Sequence, residues 1–220
     1  MRDQTEPMKT IEAFYSAHSA YAYIGVAKLH EIADAHGAVV VHRPFDLRGL
    51  LDALGGAVGH VSPAHRAYYF GREIDRWAEY RGVQILPDAP ATHANDYTRA
   101  HHMIIAAAAP DGTGADADRL AAAYLREHWV RGADLADHAT LAAIARSVGL
   151  DAEALSAAAD QPEVAARHAR NSADAIARPI FGSPTYIVDG DMFYGQDRLE
   201  LVARALETPF NGASSADTSG

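Results

Sequence analysis

Cysteine is absent from all 220 residues. Without a thiol the chain can form no disulfide, no thiolate metal site and no covalent intermediate on a cysteine of its own. Long apolar runs are missing too. No stretch reaches the roughly 18 residues that a membrane helix needs, so no membrane span is expected. Positive charge is scarce, with 19 Lys and Arg against 29 Asp and Glu and a formal net charge of -10. That balance argues against nucleic acid or an anionic membrane as a partner, because phosphate-rich surfaces are bound through cationic side chains. The opening residues MRDQTEPMKT carry both charge signs and no apolar stretch, unlike a secretory signal. A cytoplasmic protein is the expectation.

Hydrophobic residues supply 49% of the chain, enough to build a sizeable core rather than a disordered segment. Residues 11–15 form a short apolar run suited to a buried strand. Residues 21–35 place Ile24, Leu29 and Ile32 on one helical face, and Gly37 stands where helices commonly stop. Val39, Val40 and Val41 form a β-branched strand limited by Pro44, which completes a βαβ unit. From residue 46 to 178 alanine-rich helical patterns dominate, broken by a loop predicted at residues 110–118. Strand character returns in TYIVDGDMFYG, where Asp-Gly between apolar runs is a strong hairpin signal, and residues 196–206 close as a helix. This order predicts an α/β thioredoxin-like fold with a large all-helical insertion between its βαβ and ββα halves. Residues 9–45 and 179–207 form the thioredoxin-like domain, 46–178 the insertion, and 208–220 a disordered tail.

Three places carry candidate chemistry. Ser19, in SAHSAYAYIG, stands at the start of the first helix, where unpaired N–H groups and the aligned peptide dipoles stabilise an anion. Its hydroxyl suits either an N-cap or a donor to a thiolate brought in by a ligand, and one hydroxyl can serve both. Ser183-Pro184 precedes the hairpin; statistics favour a trans bond there, whereas a cis bond would turn the Ser183 backbone toward an extended ligand. Gln196-Asp197 follows Gly195, where Asp197 either caps the last helix or captures an ammonium group. The adjacent His101 and His102 cannot share a helix face, and no HExxH spacing occurs, so no metal site is expected. Ser16 to Ser19 includes His18, but no GxSxG elbow supports a serine hydrolase.

SAYAYIG resembles the S-P-[FY]-[SA]-Y-[LI] motif of the 2-hydroxychromene-2-carboxylate isomerases, relatives of kappa-class glutathione transferases. FGSPTYIVDGDMFYGQDRLEL resembles that family's F-G-x-P-T hairpin and G-x-D-R-L turn, and RPFDLRGLLDALGG and REIDRWAEYRGVQI resemble the segments between them. The likeness spans residues 9–207. It implies that glutathione supplies the missing thiol, that Ser19 stabilises its thiolate, and that Ser183 before a cis Pro184 aligns the cysteinyl backbone. Gln196 and Asp197 would hold the γ-glutamyl end, and Tyr21 and Asn95 would face a small aromatic carboxylate substrate. The implied reaction is a cis–trans isomerisation in aromatic catabolism with glutathione as an unconsumed cofactor, carried out by a homodimer. A kappa-like transferase that consumes glutathione, and a thioredoxin-like binding module without catalysis, are the alternatives. Three departures stand out: Ala20 replaces the motif's proline, Gly56 its asparagine, and the Asn-x-x-Arg spacing gains a residue between Asn95 and Arg99.

Overall fold

The computed structural model describes residues 8–55 and 62–211; Gly56 and residues 212–220 of the expected tail lie outside them. The first strand, β1 (Lys9–Tyr15), begins two residues before the predicted run. It pairs in parallel with β2 (Ala38–Pro44) and antiparallel with β3 (Thr185–Val188), which in turn pairs antiparallel with β4 (Asp191–Tyr194). The sheet order is β2-β1-β3-β4. Asp189 and Gly190, with φ of 48° and 86°, make the hairpin turn in which both central residues need positive φ. Helix α1 (Ala20–His36) joins β1 to β2 and stops at left-handed Gly37. The final predicted helix is split into a 3-10 turn, Gln196–Arg198, and α10 (Leu199–Glu207). Such turns are common at helix starts.

Alternation along β1 builds two cores. Ile11, Ala13 and Tyr15 join α1 and α10 in the larger one, whereas Phe14 packs with Phe45, Leu50, Ala175, Ile180 and Ile187 in the smaller. Glu12 is kept at the margin of the smaller core by ion pairs to Arg43 and Arg178.

Between β2 and β3 the described residues form α2 (Leu47–Ala53), α3 (Pro63–Ala67), a π-helical turn (Tyr68–Arg72) that runs into α4 (Glu73–Arg81), and α5 (Thr98–Ala107). Then follow α6 (Ala115–Arg131), α7 (His138–Ser147), α8 (Ala152–Ala159) and α9 (Pro162–Ala177). Asp46, Asp137 and Asp151 cap α2, α7 and α8 by accepting from backbone N–H groups of the first turn. The loop expected through residue 118 ends earlier, because α6 already begins at Ala115. Asp116 and Asp118 sit in its first turn, where the helix dipole favours carboxylates, so acidic composition marked a helix start rather than a loop. Leu120, Tyr124, Met103 and Leu141 continue the larger core, so the helical segment and the sheet share buried surface. Past α10, Phe210 packs its ring on Phe193 at 6.0 Å, so ordered structure extends a few residues into the segment expected to be a tail.

Gly25 marks a tight contact between α1 and the residues that follow β4. A Cβ there would lie 2.7 Å from the Gln196 Cβ and 3.1 Å from the Tyr186 hydroxyl. Gly25→Val is therefore expected to destabilise the protein by about 1–3 kcal/mol, as overpacked cores do, and to displace Gln196. Urea denaturation of the variant checks this; unchanged stability would mean that the α1–Gln196 contact yields freely.

Candidate functional site

The site is assembled where β1 ends and α1 begins. Ser19 has extended backbone angles, and its Oγ accepts from the Ala22 N–H at 3.2 Å, which makes it the N-cap of α1. The same hydroxyl donates to the Ser183 carbonyl at 3.1 Å. Ser183 Oγ in turn accepts from the Ser16 N–H at 2.9 Å, and the Ser183–Pro184 bond is cis, against the statistical preference. Two loops 164 residues apart are thus stapled at one point.

His101 holds the loop before α1 from beneath. Its Nε2 accepts from the Ala17 N–H at 2.9 Å, so its proton sits on Nδ1 and is donated to His168 Nε2 at 3.1 Å. Burial keeps His101 neutral by pushing its pKa well below the usual value, aided by His168, His18 and His102. Where the motif has proline, Ala20 leaves the backbone freer, and His101 supplies a restraint of its own on this loop. His18 stacks on Tyr97 with ring centroids 4.0 Å apart, and its carbonyl accepts from Trp129 Nε1 at 2.9 Å. Desolvation, with His93, Arg48 and His128 nearby, lowers its pKa to about 2.

A cavity of about 380 Å³ opens over this junction. Its floor is Ser19, Ser183, His18, His93 and Trp129, its walls include Leu47, Leu51, Ile74 and Leu86, and aromatic side chains Tyr21, Tyr69, Phe70, Phe181 and Tyr194 surround them. Tyr21 donates to the Tyr69 carbonyl at 2.7 Å, and desolvation raises its pKa, so the phenol stays protonated. Arg66 also lines the cavity and makes no ion pair among the described residues. A groove of about 480 Å³ lies beyond Phe181 and Tyr194, over β4, and among the described residues its charged lining groups are Asp191 and Arg198.

Of the residues singled out from sequence, Ser19, Tyr21 and Ser183 meet in the cavity, and Pro184 lies directly behind Ser183. Gln196 does not line it: the side chain is buried, its Oε1 accepts from Arg81 Nε at 3.2 Å, and Arg81 also binds Glu200. Asp197 pairs with Arg198 at 2.9 Å, and its Oδ1 occupies the space where any residue larger than Gly195 would put a Cβ. Asn95 lies outside the cavity wall and donates to Asp134 at 2.9 Å. His93 and Trp129 escaped the sequence reading, and His18 was weighed there only as part of a hydrolase pattern, because contacts across 35 to 111 residues leave no local spacing. Among the described residues no group of three or more His, Asp or Glu is placed to hold a metal ion, and no helix is long and apolar enough to cross a membrane.

The chain resembles known proteins over most of its length. The chain is 28% identical to a 2-hydroxychromene-2-carboxylate isomerase of Sphingobium xenophagum, over 90% of this chain and 98% of that protein. It superposes on the solved structure of a 2-hydroxychromene-2-carboxylate isomerase with a TM-score of 0.70 at 21% identity, covering 90% of this chain and 94% of the other. The cytosolic disulfide reductase DsbM of Pseudomonas aeruginosa, solved with GSH, aligns with a TM-score of 0.60 at 20% identity, covering 91% and 93%. The DSBA-like thioredoxin domain matches residues 10–207, from the first strand to the last helix, and the chain belongs to that family.

Proposed function

We propose that the protein is a glutathione-dependent isomerase that interconverts a 2-hydroxychromene-2-carboxylate-type compound and its ring-opened form. The observation that carries this reading is the position of the Ser19 hydroxyl: on the N-terminus of α1, at the floor of an aromatic-lined cavity, beside the cis-proline loop. A thiol of glutathione placed there would meet the positive end of the helix and one O–H donor, the two features that favour a thiolate. Bound glutathione would supply a nucleophile that adds reversibly to the conjugated carbon and so frees the former double bond to rotate.

The chain's own groups do the rest. Ser19 redirects its proton from the Ser183 carbonyl to the sulfur, which releases that carbonyl for an N–H of the tripeptide backbone. Desolvation inside the cavity strengthens the charge-assisted bond that replaces the neutral one. The aromatic walls bury the ring of the substrate, and Arg66 supplies a cation for its carboxylate. Asp197, beside the cis-proline loop, is assigned the γ-glutamyl ammonium; Gln196 serves this end of the site by anchoring the turn through Arg81.

The test is turnover of 2-hydroxychromene-2-carboxylate, followed by absorbance with and without reduced glutathione, with free thiol titrated before and after. Glutathione-dependent turnover that leaves the thiol unchanged is expected. Stoichiometric thiol loss would identify a conjugating transferase instead. Absence of both turnover and calorimetric glutathione binding would leave a binding module.

A further inference from the structure

The cavity holds an imidazole whose tautomer is dictated by a chain of contacts running away from it. At the far end, His128 Nδ1 lies 2.8 Å from the Ala133 carbonyl, which can only accept, so His128 carries its proton on Nδ1. His128 Nε2 is then a bare acceptor, and its neighbour at 3.0 Å is His93 Nδ1. His93 must therefore be protonated on Nδ1, which leaves its Nε2 as a lone pair. That atom has no hydrogen-bond partner among the described residues, is not sealed from solvent, and belongs to a residue of the cavity floor.

The position of His93 is fixed from three further sides. Arg48 donates to the carbonyls of His93, Ala94 and Asn95 at 3.3, 2.9 and 3.2 Å. The ring packs against Trp129 at 5.2 Å and against His18 at 4.8 Å between centroids. Burial, with His128 and then Arg48 close by, disfavours a second proton on the ring. The ring is thus held neutral in one tautomer with its acceptor atom open to substrate.

We propose that His93 is a catalytic residue, the base and then the acid of ring opening, with His128 as the positioning residue that sets its tautomer. This inference rests on the isomerase reading above. The closed substrate is a hemiketal: one carbon bears a hydroxyl, the ring oxygen and the carboxylate. His93 Nε2 takes the hydroxyl proton, the O–H electron pair forms the ketone, and the bond from that carbon to the ring oxygen breaks. The departing phenolate then recovers the proton from the imidazolium, so no proton or electron is gained or lost overall. Ring closure is the same sequence reversed.

His93→Asn is the discriminating variant, since its amide nitrogen keeps the donor to His128 while the Nε2 lone pair is removed. We expect kcat to fall roughly 100-fold or more, the usual size of a lost general acid–base, with glutathione binding by calorimetry unchanged. His93→Ala should recover part of its rate on adding imidazole, which a merely structural histidine would not do. Nitrogen NMR of the ligand-free protein reads the tautomer without turnover: a pyrrole-type signal at Nδ1 and a pyridine-type signal at Nε2 are expected. The opposite tautomer, or wild-type turnover in His93→Asn, overturns the role of His93 and leaves the isomerase reading standing. A wild-type protein that binds glutathione but turns over no hemiketal substrate overturns both.

Discussion

Ser19→Ala is expected to lower glutathione-dependent turnover by about 10²–10³-fold, the range found when one preorganised donor to a developing anion is removed. Two effects of this substitution have to be separated. The hydroxyl caps α1 through the Ala22 N–H, and losing a serine cap costs about 1 kcal/mol of stability. That is a shift of a few degrees in Tm and does not itself abolish activity. The hydroxyl also faces the cavity floor and donates to Ser183, and this is the proton the thiolate would claim. Removing it leaves the sulfur with the helix dipole alone, so the thiol pKa rises and the loss of glutathione affinity should be greatest above neutral pH. Calorimetric titration at pH 6.5 and pH 8.5 reads this directly. Equal affinities for wild type and variant at both values, together with unimpaired turnover, would remove Ser19 from the chemistry and leave it a cap.

Much of the scaffold was legible because its signals are local. The short apolar run from Ile11 to Tyr15, the glycine after α1 and the Asp-Gly turn each act within a few residues, and each marks an element that the structure contains. The start of α6 was misplaced for an equally local reason: aspartates favour both loops and first helical turns, and composition does not separate the two. The site divides in the same manner. Ser19 and Ser183 lie in short motifs and are hydrogen-bonded to each other, whereas the environment of Gln196 is set by Arg81, 115 residues away. Asn95 was attached to the site by a motif spacing that has one extra residue, and its side chain is committed to Asp134. The histidines were the main omission. Read singly they look like twelve scattered residues; in the fold, six of them, His18, His93, His101, His102, His128 and His168, form two groups by ring contact, and His18 and His93 line the cavity.

Those buried histidines make acid the condition under which this fold should fail. His18, His101, His128 and His168 are all buried, and desolvation is the leading cause that lowers the pKa of each; for His168 the value falls to about 4. In an unfolded chain the same side chains titrate near 6.5. Above that pH both states hold them neutral, and they add no pH dependence. Below it the unfolded chain binds protons that the native state refuses, so stability falls as pH falls, by about 1.4 kcal/mol per pH unit for each such histidine. Four of them acting together set an upper limit of roughly 5 kcal/mol per pH unit, against a typical total stability of about 5–15 kcal/mol. Urea titrations at pH 7.5, 6.5, 5.5 and 5.0 should therefore show a plateau followed by a steep decline that begins near pH 6.5. Exposed carboxylates with lowered pKa, such as Asp137 and Glu153, act in the same direction but only at more acidic pH, so the onset distinguishes the two sources. His101→Gln sharpens the test: its amide oxygen can still accept from the Ala17 N–H, but it cannot titrate. The slope between pH 6.5 and 5.0 should drop by about one proton's worth. A stability that stays level from pH 7.5 to 5.0 would mean that the native protein protonates these rings freely, and that the histidine groups beneath the cavity are far looser than their geometry indicates.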